Sequence, residues 1–526
     1  MPAPLVAEPM NHADAKRHWL TSNAALLLLL PLVKLSLHFW NNAQGGYGIF
    51  RDELYFIACG EHLAWGYVDQ PPMVAIAAAV ERALLGDSLF AIRFLPALAG
   101  AAVVLVTGLI ARELGAGRFG VFLAQLAALI APVFLAIHTI LSMNVFEHLF
   151  WALAVLVAVR IARLGAPRWW IVFGVIVGLG LLTKHSMAFF CIALFAGLLI
   201  SAERRQLAQR WFWSGAAIAG LIFLPHVIWQ VQNDFPMVEL LRNGQLYKNA
   251  PFAPGAFFWG MFLEFHPANI VLAAGALWFL LIAPQGKPYR FLGWTVVTLL
   301  VLFVALKAKS YYVAPIYPLL YAAGATALAM WTAGNVGRWV RGALVALMIF
   351  TGIATAPLAM PLLPPHDFIA YAQRLGIAGP PTERHQMGPL PQFFADMHGW
   401  EEMVVEIARV YHSLPPEERA KAAIFADNYG EAAAVDFFGR KYGLPKAIGG
   451  HNNYFLWGPR DYTGEIVITV GVSREDAASS FEELQEAGRF SHPYAMPYEQ
   501  RNPILICRRP KFKNIHEVWP QVKGYI

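Results

Sequence analysis

Charged residues are scarce in this chain of 526 residues: Asp, Glu, Lys and Arg together make up 14% of it, and hydrophobic residues make up 57%. A soluble globular domain usually has about a quarter of its residues charged. The composition therefore excludes an ordinary soluble domain, and with a mean hydropathy of +0.48 it predicts a membrane protein. The formal net charge of +6 comes with no DNA- or RNA-binding motif, so no nucleic-acid partner is predicted.

Cysteine is also rare, with only three residues at Cys59, Cys191 and Cys507. These are too few for a disulfide framework or a thiolate metal site, although a Cys59–Cys507 bridge in an oxidising compartment is left open. The chain has no Walker motif and no metal-ligand spacing such as HExxH, so the sequence firmly implies no cofactor. A divalent metal is left open, without support from ligand spacing, among Asp52, His62, Asp69 and His266.

Long apolar runs are what the chain has in quantity. A helix needs about 20 apolar residues to cross the hydrocarbon core of a bilayer. Runs of this kind predict about eleven membrane spans, near residues 19–40, 91–111, 119–137, 145–162, 169–183, 186–201, 212–230, 266–284, 291–306, 311–332 and 340–362. The first of them is interpreted as a retained anchor, because no small-residue cleavage signal follows it.

Basic residues predict the orientation of these spans. Besides Lys16 and Arg17 before the first span, they concentrate in short connections near 112–118, 160–168, 204–210, 287–290 and 338–341. The positive-inside rule puts those connections on the inner side of the membrane and the first long loop, residues 41–90, on the outer side. With an odd number of spans, the C-terminal part lies on the outer side too.

The composition changes after Pro361–Pro365. Residues 1–364 are predicted to form a transmembrane catalytic domain, and residues 365–526 a small periplasmic α/β domain. In the second part, local patterns predict strands at Ala422–Ala426, Ile466–Val472 and Pro503–Cys507, and helices at Trp400–Ser413, Gly430–Tyr442 and Arg474–Ala487. The predicted fold class is thus a polytopic α-helical membrane protein with a small C-terminal α/β domain.

The first outer loop has the densest group of acidic and aromatic residues. Its segment FRDELYFIACGEHLAWGYVDQPPM, residues 50–73, contains the adjacent carboxylates Asp52 and Glu53. Such a carboxylate can act as a general base that deprotonates an acceptor hydroxyl. The plainer alternative is a charge that stabilises a helix N-terminus. The order of the residues does not decide which of the two acts.

Three lysines, Lys184, Lys307 and Lys309, fall at the outer ends of spans, where the orientation rule disfavours basic residues. Snorkelling towards lipid headgroups would also account for them. Lys307 and Lys309 stand beside Tyr311 and Tyr312, a combination that suits the phosphate of a lipid-linked substrate. A lysine there can neutralise the charge that builds on a leaving oxygen.

Other polar residues are predicted to line the same cavity. Polar groups at membrane depth are costly and tend to face functional cavities. Arg93 is predicted to assist phosphate binding, and the predicted lining residues are Asp69, Gln70, Asn144, Glu147, His185, Glu264 and His266.

Several motifs together resemble a known family. They are RDELYF (51–56), VDQPPM (68–73), SMNVFEHLFW (142–151), LLTKHSMAF (181–189), IWQVQNDFP (228–236), KSYYVAPIYPLL (309–320), ADNYGEAAAVDFFG (426–439) and HNNYFLWGP (451–459). The chain is similar to the bacterial protein-mannosyltransferase-like (family 39 type) glycosyltransferases, which are GT-C enzymes related to the lipid A aminoarabinose transferase. Gln70 stands where some of these relatives have lysine, and Asn144 where aspartate is common.

The resemblance implies a GT-C fold, a polyprenyl-phosphate sugar as donor, and a catalytic acid that maps onto Asp52 with Glu53 beside it. We therefore expect an inverting membrane glycosyltransferase that acts on an envelope acceptor such as lipid A or lipopolysaccharide, another glycan or a protein. The alternatives are a transporter or flippase of a lipid-linked substrate, and an envelope protein with a lost active site. No internal repeat is visible, which disfavours an inverted-repeat transporter.

Overall fold

A computed structural model describes residues 23–376 and 386–526 of the chain. Lys16, Arg17 and the beginning of the predicted span at 19–40 lie outside the described residues. The described part is mostly helical and has a five-stranded sheet near its C-terminal end.

The α-helices are numbered here in chain order. They are α1 (Asn23–Gln44), α2 (Arg51–Glu61), α3 (Met73–Leu85), α4 (Leu89–Ile92), α5 (Phe94–Glu113), α6 (Arg118–Ile130), α7 (Pro132–Ile137), α8 (Met143–Leu164), α9 (Trp169–Leu181), α10 (Met187–Ile200), α11 (Arg210–Gln232), α12 (Pro236–Asn243), α13 (Pro254–Phe265), α14 (Ile270–Leu281), α15 (Arg290–Ala305), α16 (Tyr317–Trp331), α17 (Asn335–Ala359), α18 (Pro365–Arg374), α19 (Gln392–Ala395), α20 (Trp400–Ser413), α21 (Pro416–Arg419), α22 (Tyr429–Phe438), α23 (Asn453–Trp457), α24 (Arg474–Ser480) and α25 (Ile515–Val518). The strands are β1 (Ala422–Ala426), β2 (Ile448–Gly449), β3 (Ile466–Val470), β4 (Phe481–Phe490) and β5 (Asn502–Pro510).

Many of these helices are long and apolar enough to cross a membrane. Within the described residues, seven stretches qualify on their own: Ala24–Gln44, Leu89–Glu113, Met143–Leu164, Arg210–Gln232, Pro284–Ala305, Ser310–Trp331 and Asn335–Ala359. Two more qualify as bent pairs, Met187–Ile200 with Ala202–Ala208 and Pro254–Phe265 with Pro267–Leu281. Helices α6 and α9 are shorter but also apolar. The predicted polytopic helical membrane protein is confirmed, whereas the number of eleven crossings stays a prediction.

One predicted span differs from the structure in shape. The span expected at 266–284 is the second arm of a bent pair, and the two arms meet at an angle of 89°. His266 lies at this bend with a φ of 81°. Glu264 belongs to the end of the preceding arm, α13. Both residues therefore lie at a break between helices.

Glycine allows two of the apolar helices to touch along their backbones. A Cβ atom on Gly174 of α9 would lie 2.1 Å from the carbonyl oxygen of Gly215 in α11. Only a residue without a side chain permits such an approach. Gly174 is the first residue of the glycine-rich segment GVIVGLGLL, residues 174–182, and this contact makes it a helix-packing position.

The C-terminal sheet has the strand order β2-β1-β3-β5-β4. Strand β1 is parallel to β2 and β3, and β5 is antiparallel to β3 and β4. Strand β1 and helix α20 have the predicted bounds, and β3, β5 and α22 overlap their predicted ranges. The predicted domain boundary at 364–365 falls where α18 begins, but the division into two domains stays a prediction.

The helix predicted at Arg474–Ala487 is wrong in its second half. Helix α24 ends at Ser480, and residues 481–490 form β4, which pairs with β5 at the edge of the sheet. The run of acidic residues in this segment is typical of an exposed helix. Pairing with β5 overrides that local preference, and charged residues are common on edge strands because they discourage further pairing.

The Cys59–Cys507 bridge that the sequence left open is not formed. Both residues are buried free thiols. Cys59 lies in the core that the outer loop shares with the sheet, whereas Cys507 lies in the core on the opposite face of the sheet. Successive residues of a strand point to opposite faces, and Ile506, not Cys507, points towards the outer loop.

The outer loop and the C-terminal sheet share one hydrophobic core. Helix α2 packs against α3 and against α22, which itself packs on β1, and this core includes Leu54, Ile57, Ile424 and Ile468. Burying this much apolar surface fixes the loop and the sheet against each other. The acidic loop segment is therefore held between the membrane helices and the C-terminal part.

An ion cluster around Glu61 reinforces this contact. Its carboxylate accepts hydrogen bonds from Arg82 in α3 and from Arg440 and Lys446 of the C-terminal part. Burial opposes the charge of Glu61, but the hydrogen bonds from Lys446 and Arg82 lower its pKa to about 2. Glu61 thus stays ionised and joins the two parts of the chain.

Candidate functional site

Asp52 lies in the first turn of α2, near the helix N-terminus. The Tyr429 hydroxyl donates a hydrogen bond of 2.9 Å to its Oδ1. The Nε of Arg51 is 3.6 Å from the same atom, and the Asp52 side chain remains 36% exposed. The carboxylate is therefore oriented by one tyrosine while a free edge faces outwards, which is the arrangement that a general base needs.

Glu53, although adjacent, is completely buried and has a different role. It accepts hydrogen bonds from the backbone N–H groups of Phe50 and Leu141, each at 2.8 Å. Arg93 donates two more from Nε and Nη2, at 2.9 and 2.8 Å. A carboxylate with all of these partners is not accessible to a substrate. Glu53 anchors α2 to the membrane helices, so of the two candidates the structure leaves Asp52 exposed.

The same geometry corrects the expectation for Arg93. This side chain is only 1% exposed, and it bonds Glu53 and the carbonyl oxygen of Gly48. Because its charge is neutralised inside the protein, the structure does not present it to a donor phosphate. The remaining candidates for binding the donor phosphate are therefore the lysines.

Asp69 is connected to Asp52 through two tyrosines whose rings contact each other at a tilt of 34°. The Tyr55 hydroxyl donates to Asp69 Oδ1 at 3.0 Å, and the Tyr55 and Tyr429 rings have centroids 4.7 Å apart. Burial raises the pKa of Asp69 to about 7, even though the hydrogen bond from Tyr55 acts in the opposite direction. Asp69 can therefore gain or lose a proton near neutral pH.

Gln70 follows Asp69 but points into the protein. It is fully buried, and its Nε2 lies 3.7 Å from the sulfur of Cys59. Its backbone carbonyl accepts the N–H of Tyr67 and closes the turn that presents Asp69. Gln70 was predicted to line the cavity, but its side chain packs behind the loop.

Lys184 is the centre of a second polar group. Its Nζ donates to Asn144 Oδ1 at 2.6 Å and to Glu147 Oε2 at 3.0 Å. The ammonium also lies over two aromatic rings, 4.5 Å from the centroid of Tyr312 and 5.6 Å from that of Tyr311. The structure thus brings five of the predicted site residues together. An ammonium has three N–H donors, so one remains for a further acceptor.

The two other predicted lysines lie at the start of the same tyrosine segment. Lys307 is exposed directly after α15 and has a φ of 54°. Lys309 is partly buried and precedes the 3₁₀ segment Ser310–Ile316, which contains both tyrosines. The two tyrosines face Lys184, so the cation in the centre of the group is Lys184.

Of the remaining predicted residues, His185 is next to Lys184 in the chain, Glu264 bonds the start of the tyrosine segment, and His266 lies at the bend between α13 and α14. The Nε2 atoms of His185 and His226 are 2.9 Å apart. Ser310 donates to Glu264 at 2.5 Å, which fixes the start of the tyrosine segment. The Nδ1 of His266 accepts the N–H of Ala268 and stabilises the bend between α13 and α14. Glu264 and His266 therefore support the site from behind.

The acidic loop contacts the region of Lys184 directly. His226 in α11 bonds the carbonyl oxygen of Trp65 at 2.9 Å, and Gln230 reaches that of Tyr67 at 3.5 Å. The N–H of Met73 bonds the carbonyl oxygen of Leu182 at 3.1 Å. These contacts connect the loop that carries Asp69 to the turn that carries Lys184. A carboxylate group and a cationic group are thus arranged on adjoining elements.

The sequence analysis did not select several residues of this site. Tyr429, His451 and Asn453 all contact the acidic loop or its tyrosines. They belong to the motifs ADNYGEAAAVDFFG and HNNYFLWGP, so the signal was present in the resemblance. Lys248 is near enough to lower the pKa of Asp69, and no motif pointed to it. Within the described residues, no three metal-ligating side chains form a cluster.

The raised pKa of Asp69 gives a testable pH dependence. The folded-state pKa of about 7 lies above the ordinary value of about 4, so folding favours protonated Asp69, and this stabilisation is lost as the pH rises through 7. We expect the free energy of unfolding of Asp69→Asn to exceed that of the wild type by about 2 kcal/mol at pH 8. This difference should be lost at pH 5. Thermal melting of both proteins at the two pH values measures this difference in stability. Asp461→Asn, at an exposed position, is the control, and an equal shift at both pH values would contradict the account.

The model of the family described as dolichyl-phosphate-mannose-protein mannosyltransferase matches residues 69–229. A comparison with curated protein sequences finds no significant match. The matched region begins at Asp69 and includes Asn144, Glu147 and Lys184, whereas Asp52 lies outside it.

Solved structures are similar over most of the chain. ArnT from Cupriavidus metallidurans bound to undecaprenyl phosphate is 13% identical with a TM-score of 0.59, and 92% of this chain and 98% of that chain are covered. The apo state of the same protein is 14% identical with a TM-score of 0.58, and 94% of this chain and 98% of that chain are covered. The chain has the GT-C glycosyltransferase fold. The archaeal oligosaccharyltransferase AglB from Archaeoglobus fulgidus, in complex with an inhibitory peptide and a dolichol-phosphate, is also similar. It is 12% identical with a TM-score of 0.50, and 87% of this chain and 70% of that chain are covered.

The GT-C fold and the predicted resemblance to protein-mannosyltransferase-like glycosyltransferases are confirmed. Because the sequence identities are low, the solved structures establish the fold and not the reaction. The roles of Asp52 and Lys184 therefore stay predictions, supported by the contacts described above.

Proposed function

We propose that this GT-C protein is an inverting glycosyltransferase, which moves one sugar from a polyprenyl-phosphate donor to an envelope acceptor. The observation that carries the proposal is an accessible carboxylate, Asp52, in helix α2 of the outer loop, together with the contacts that residues 65–73 of the same outer loop make with the region of Lys184. ArnT is described with undecaprenyl phosphate and AglB with a dolichol-phosphate, and a donor of this class suits the cation and tyrosines found here.

In this mechanism Asp52 accepts the proton of the acceptor hydroxyl as that oxygen attacks the anomeric carbon of the donor sugar. The bond between the anomeric carbon and the phosphate oxygen breaks on the opposite side, which inverts the configuration. Tyr429 holds the carboxylate in position through its hydrogen bond. If the acceptor is itself a phosphate, it is already a competent nucleophile, and Asp52 then mainly positions it.

The leaving polyprenyl phosphate carries the negative charge that needs stabilisation. The third N–H of Lys184 and the hydroxyl of Tyr312 are the groups that we assign to it, with Lys307 and Lys309 near the headgroup. A preorganised cation stabilises a developing charge more effectively than water, because it does not need to reorient. Asn144 and Glu147 hold the Lys184 ammonium in place.

The charge pattern supports a location in the bacterial inner membrane, with this site and the C-terminal part on the periplasmic side. The basic connections would then lie in the cytoplasm. The C-terminal part would cover the acidic loop and help to select an acceptor, whether lipid, glycan or protein.

A flippase for a lipid-linked substrate is the second candidate. Lys34 and His38 are completely buried within α1, and ionisable groups inside a membrane helix are a feature of transport pathways. Lys34 donates to the carbonyl oxygen of Phe134 at 3.0 Å, which gives it a structural partner within α7. This contact favours a helix-joining role over transport.

One experiment separates the two functions. The purified chain in nanodiscs is supplied with radiolabelled undecaprenyl-phosphate-linked sugars and with lipid A, glycan or peptide acceptors. We expect equal amounts of free undecaprenyl phosphate and glycosylated acceptor. Movement of the donor lipid across proteoliposomes without a glycosidic product would reject the transferase and support the flippase.

The assignment of Lys184 predicts a defect in donor binding. We expect Lys184→Gln to raise the KM for the donor by about tenfold or more, because a charge-assisted hydrogen bond contributes about 1.5–3 kcal/mol. Glutamine can still bond Glu147, but it leaves this buried carboxylate without its counter-charge. The variant should therefore be less stable, and KM is measured because it does not depend on the amount of folded protein. The measurement is the transfer rate against donor concentration, with Lys287→Gln in an exposed inner connection as the matched control. A KM equal to that of the control would remove Lys184 from the donor site.

A further inference from the structure

A cavity of about 570 Å³ lies in the C-terminal part. Its floor is formed by Phe425, Val467 and Thr469, on the face of the sheet that points away from the acidic loop. Helices α24 and α25 form its walls together with the segment from Trp519 onwards. The volume falls in the range of about 300–1,000 Å³ that is usual for small-molecule sites. The transfer site does not account for this cavity.

The polar groups of the cavity are oxygen-rich. Asp427 and Asn428 lie where β1 ends, and Asp476 and Ser479 approach from α24. Thr469 is only 4% exposed, and its Oγ1 has no oxygen or nitrogen partner among the described residues; the Cys507 thiol is its polar neighbour. A buried hydroxyl without a full partner is costly unless a ligand satisfies it.

The charged side chains that line the cavity are all acidic. They are the two carboxylates of Asp427 and Asp476, and the lining residues, all described, contain no lysine or arginine. His451 is also part of the lining, and burial lowers its pKa to about 4, so it is neutral at pH 7. An anionic ligand such as a phosphate group would find no cation here. The cavity is suited to a ligand without negative charge.

Aromatic side chains supply the apolar part of the lining. Phe425 and Trp519 pack edge to face with ring centroids 6.4 Å apart, and Phe481 packs against Phe512 in the same way at 5.5 Å. Aromatic faces bind flat apolar surfaces such as the C–H face of a sugar ring. Carboxylate and amide oxygens accept hydrogen bonds from neighbouring sugar hydroxyls.

We propose that this cavity is a carbohydrate-binding site for an uncharged monosaccharide or disaccharide unit. The aromatic rings would contact the C–H face of the sugar, and Asp427 and Thr469 would bond its hydroxyls. Together with the transfer reaction, such a site would hold a non-reacting sugar of the acceptor near the membrane surface. The binding itself does not depend on the transfer reaction.

Saturation-transfer NMR and titration calorimetry on the full chain in nanodiscs test the proposal, since sugar-headed detergents would compete. The probes are maltose, cellobiose and lactose. We expect at least one to bind, and Asp427→Ala to weaken its Kd about tenfold. The Asp427 backbone N–H, not its side chain, bonds Val470 in the sheet, so this variant should fold. Thr469→Val, nearly equal in volume, is a second variant that should also weaken binding.

The controls separate this site from the transfer site. Asp461→Ala, exposed in the same part of the chain and outside the cavity, should bind as the wild type does. Asp52→Asn should also bind normally, so failure of the transfer proposal would leave this one standing. Absence of binding for all three disaccharides, or equal affinities in the wild type, Asp427→Ala and Thr469→Val, would overturn the proposal.

Discussion

Replacing Asp52 with asparagine is expected to lower kcat for sugar transfer by about 10²–10⁴-fold, the range that a positioned general base contributes. Asparagine has nearly the same shape, and its oxygen can still accept the hydrogen bond of Tyr429. The side chain is 36% exposed, so the substitution should change stability little. The loss should therefore appear in the chemical step and not in the amount of folded protein.

The measurement is the single-turnover rate of undecaprenyl phosphate release at saturating donor and acceptor. Asp87→Asn, on the same outer loop and with a 53% exposed side chain, is the matched control and should retain the wild-type rate. With a phosphate acceptor, the Asp52→Asn defect should move from kcat into the KM for the acceptor. If both constants were unchanged, Asp52 would have no part in the reaction.

The second large effect is on stability. We expect Glu53→Gln to lower the free energy of unfolding by about 3–5 kcal/mol, because it leaves the buried guanidinium of Arg93 without its counter-charge. Glu53 and Arg93 are 0% and 1% exposed, so water cannot replace the lost partner. Of the four hydrogen bonds to this carboxylate, the one from Phe50 caps α2 itself, and the three from Arg93 and Leu141 join α2 to the membrane domain.

Thermal unfolding of the detergent-solubilised protein measures this effect. The control is Glu406→Gln, which removes the acid of an ion pair with Arg409 that is largely exposed, and exposed pairs contribute little. Glu53→Met combined with Arg93→Met should recover part of the loss, because no unpaired charge remains. Equal melting temperatures for Glu53→Gln and Glu406→Gln would show that Glu53 is not an anchor.

The sequence predicts the local parts of this account well. Apolar runs predict the membrane helices, and the motif around Lys184 contains the cation that the structure places among Asn144, Glu147 and two tyrosines. In both cases the information lies within a helix or within motifs of the resemblance. The position of Asp52 and Asp69 in the outer loop is also visible in the sequence, as is that of Glu53 beside Asp52.

What the sequence does not predict depends on contacts between distant residues. Asp52 is oriented by Tyr429, which is 377 positions away, and Glu53 is buried by Arg93 and by the backbone of Leu141. No local pattern distinguishes the exposed carboxylate from the buried one. The acidic segment that forms β4 was mistaken for a helix for the same reason, since its partner strand β5 follows more than ten residues later.

A structure of the protein with undecaprenyl phosphate bound tests the central claim most directly. We predict that the phosphate lies within hydrogen-bonding distance of Lys184 Nζ and the Tyr312 hydroxyl, in a space that opens towards Asp52. A phosphate bound elsewhere, with Lys184 still bonded only to Asn144 and Glu147, would contradict the account.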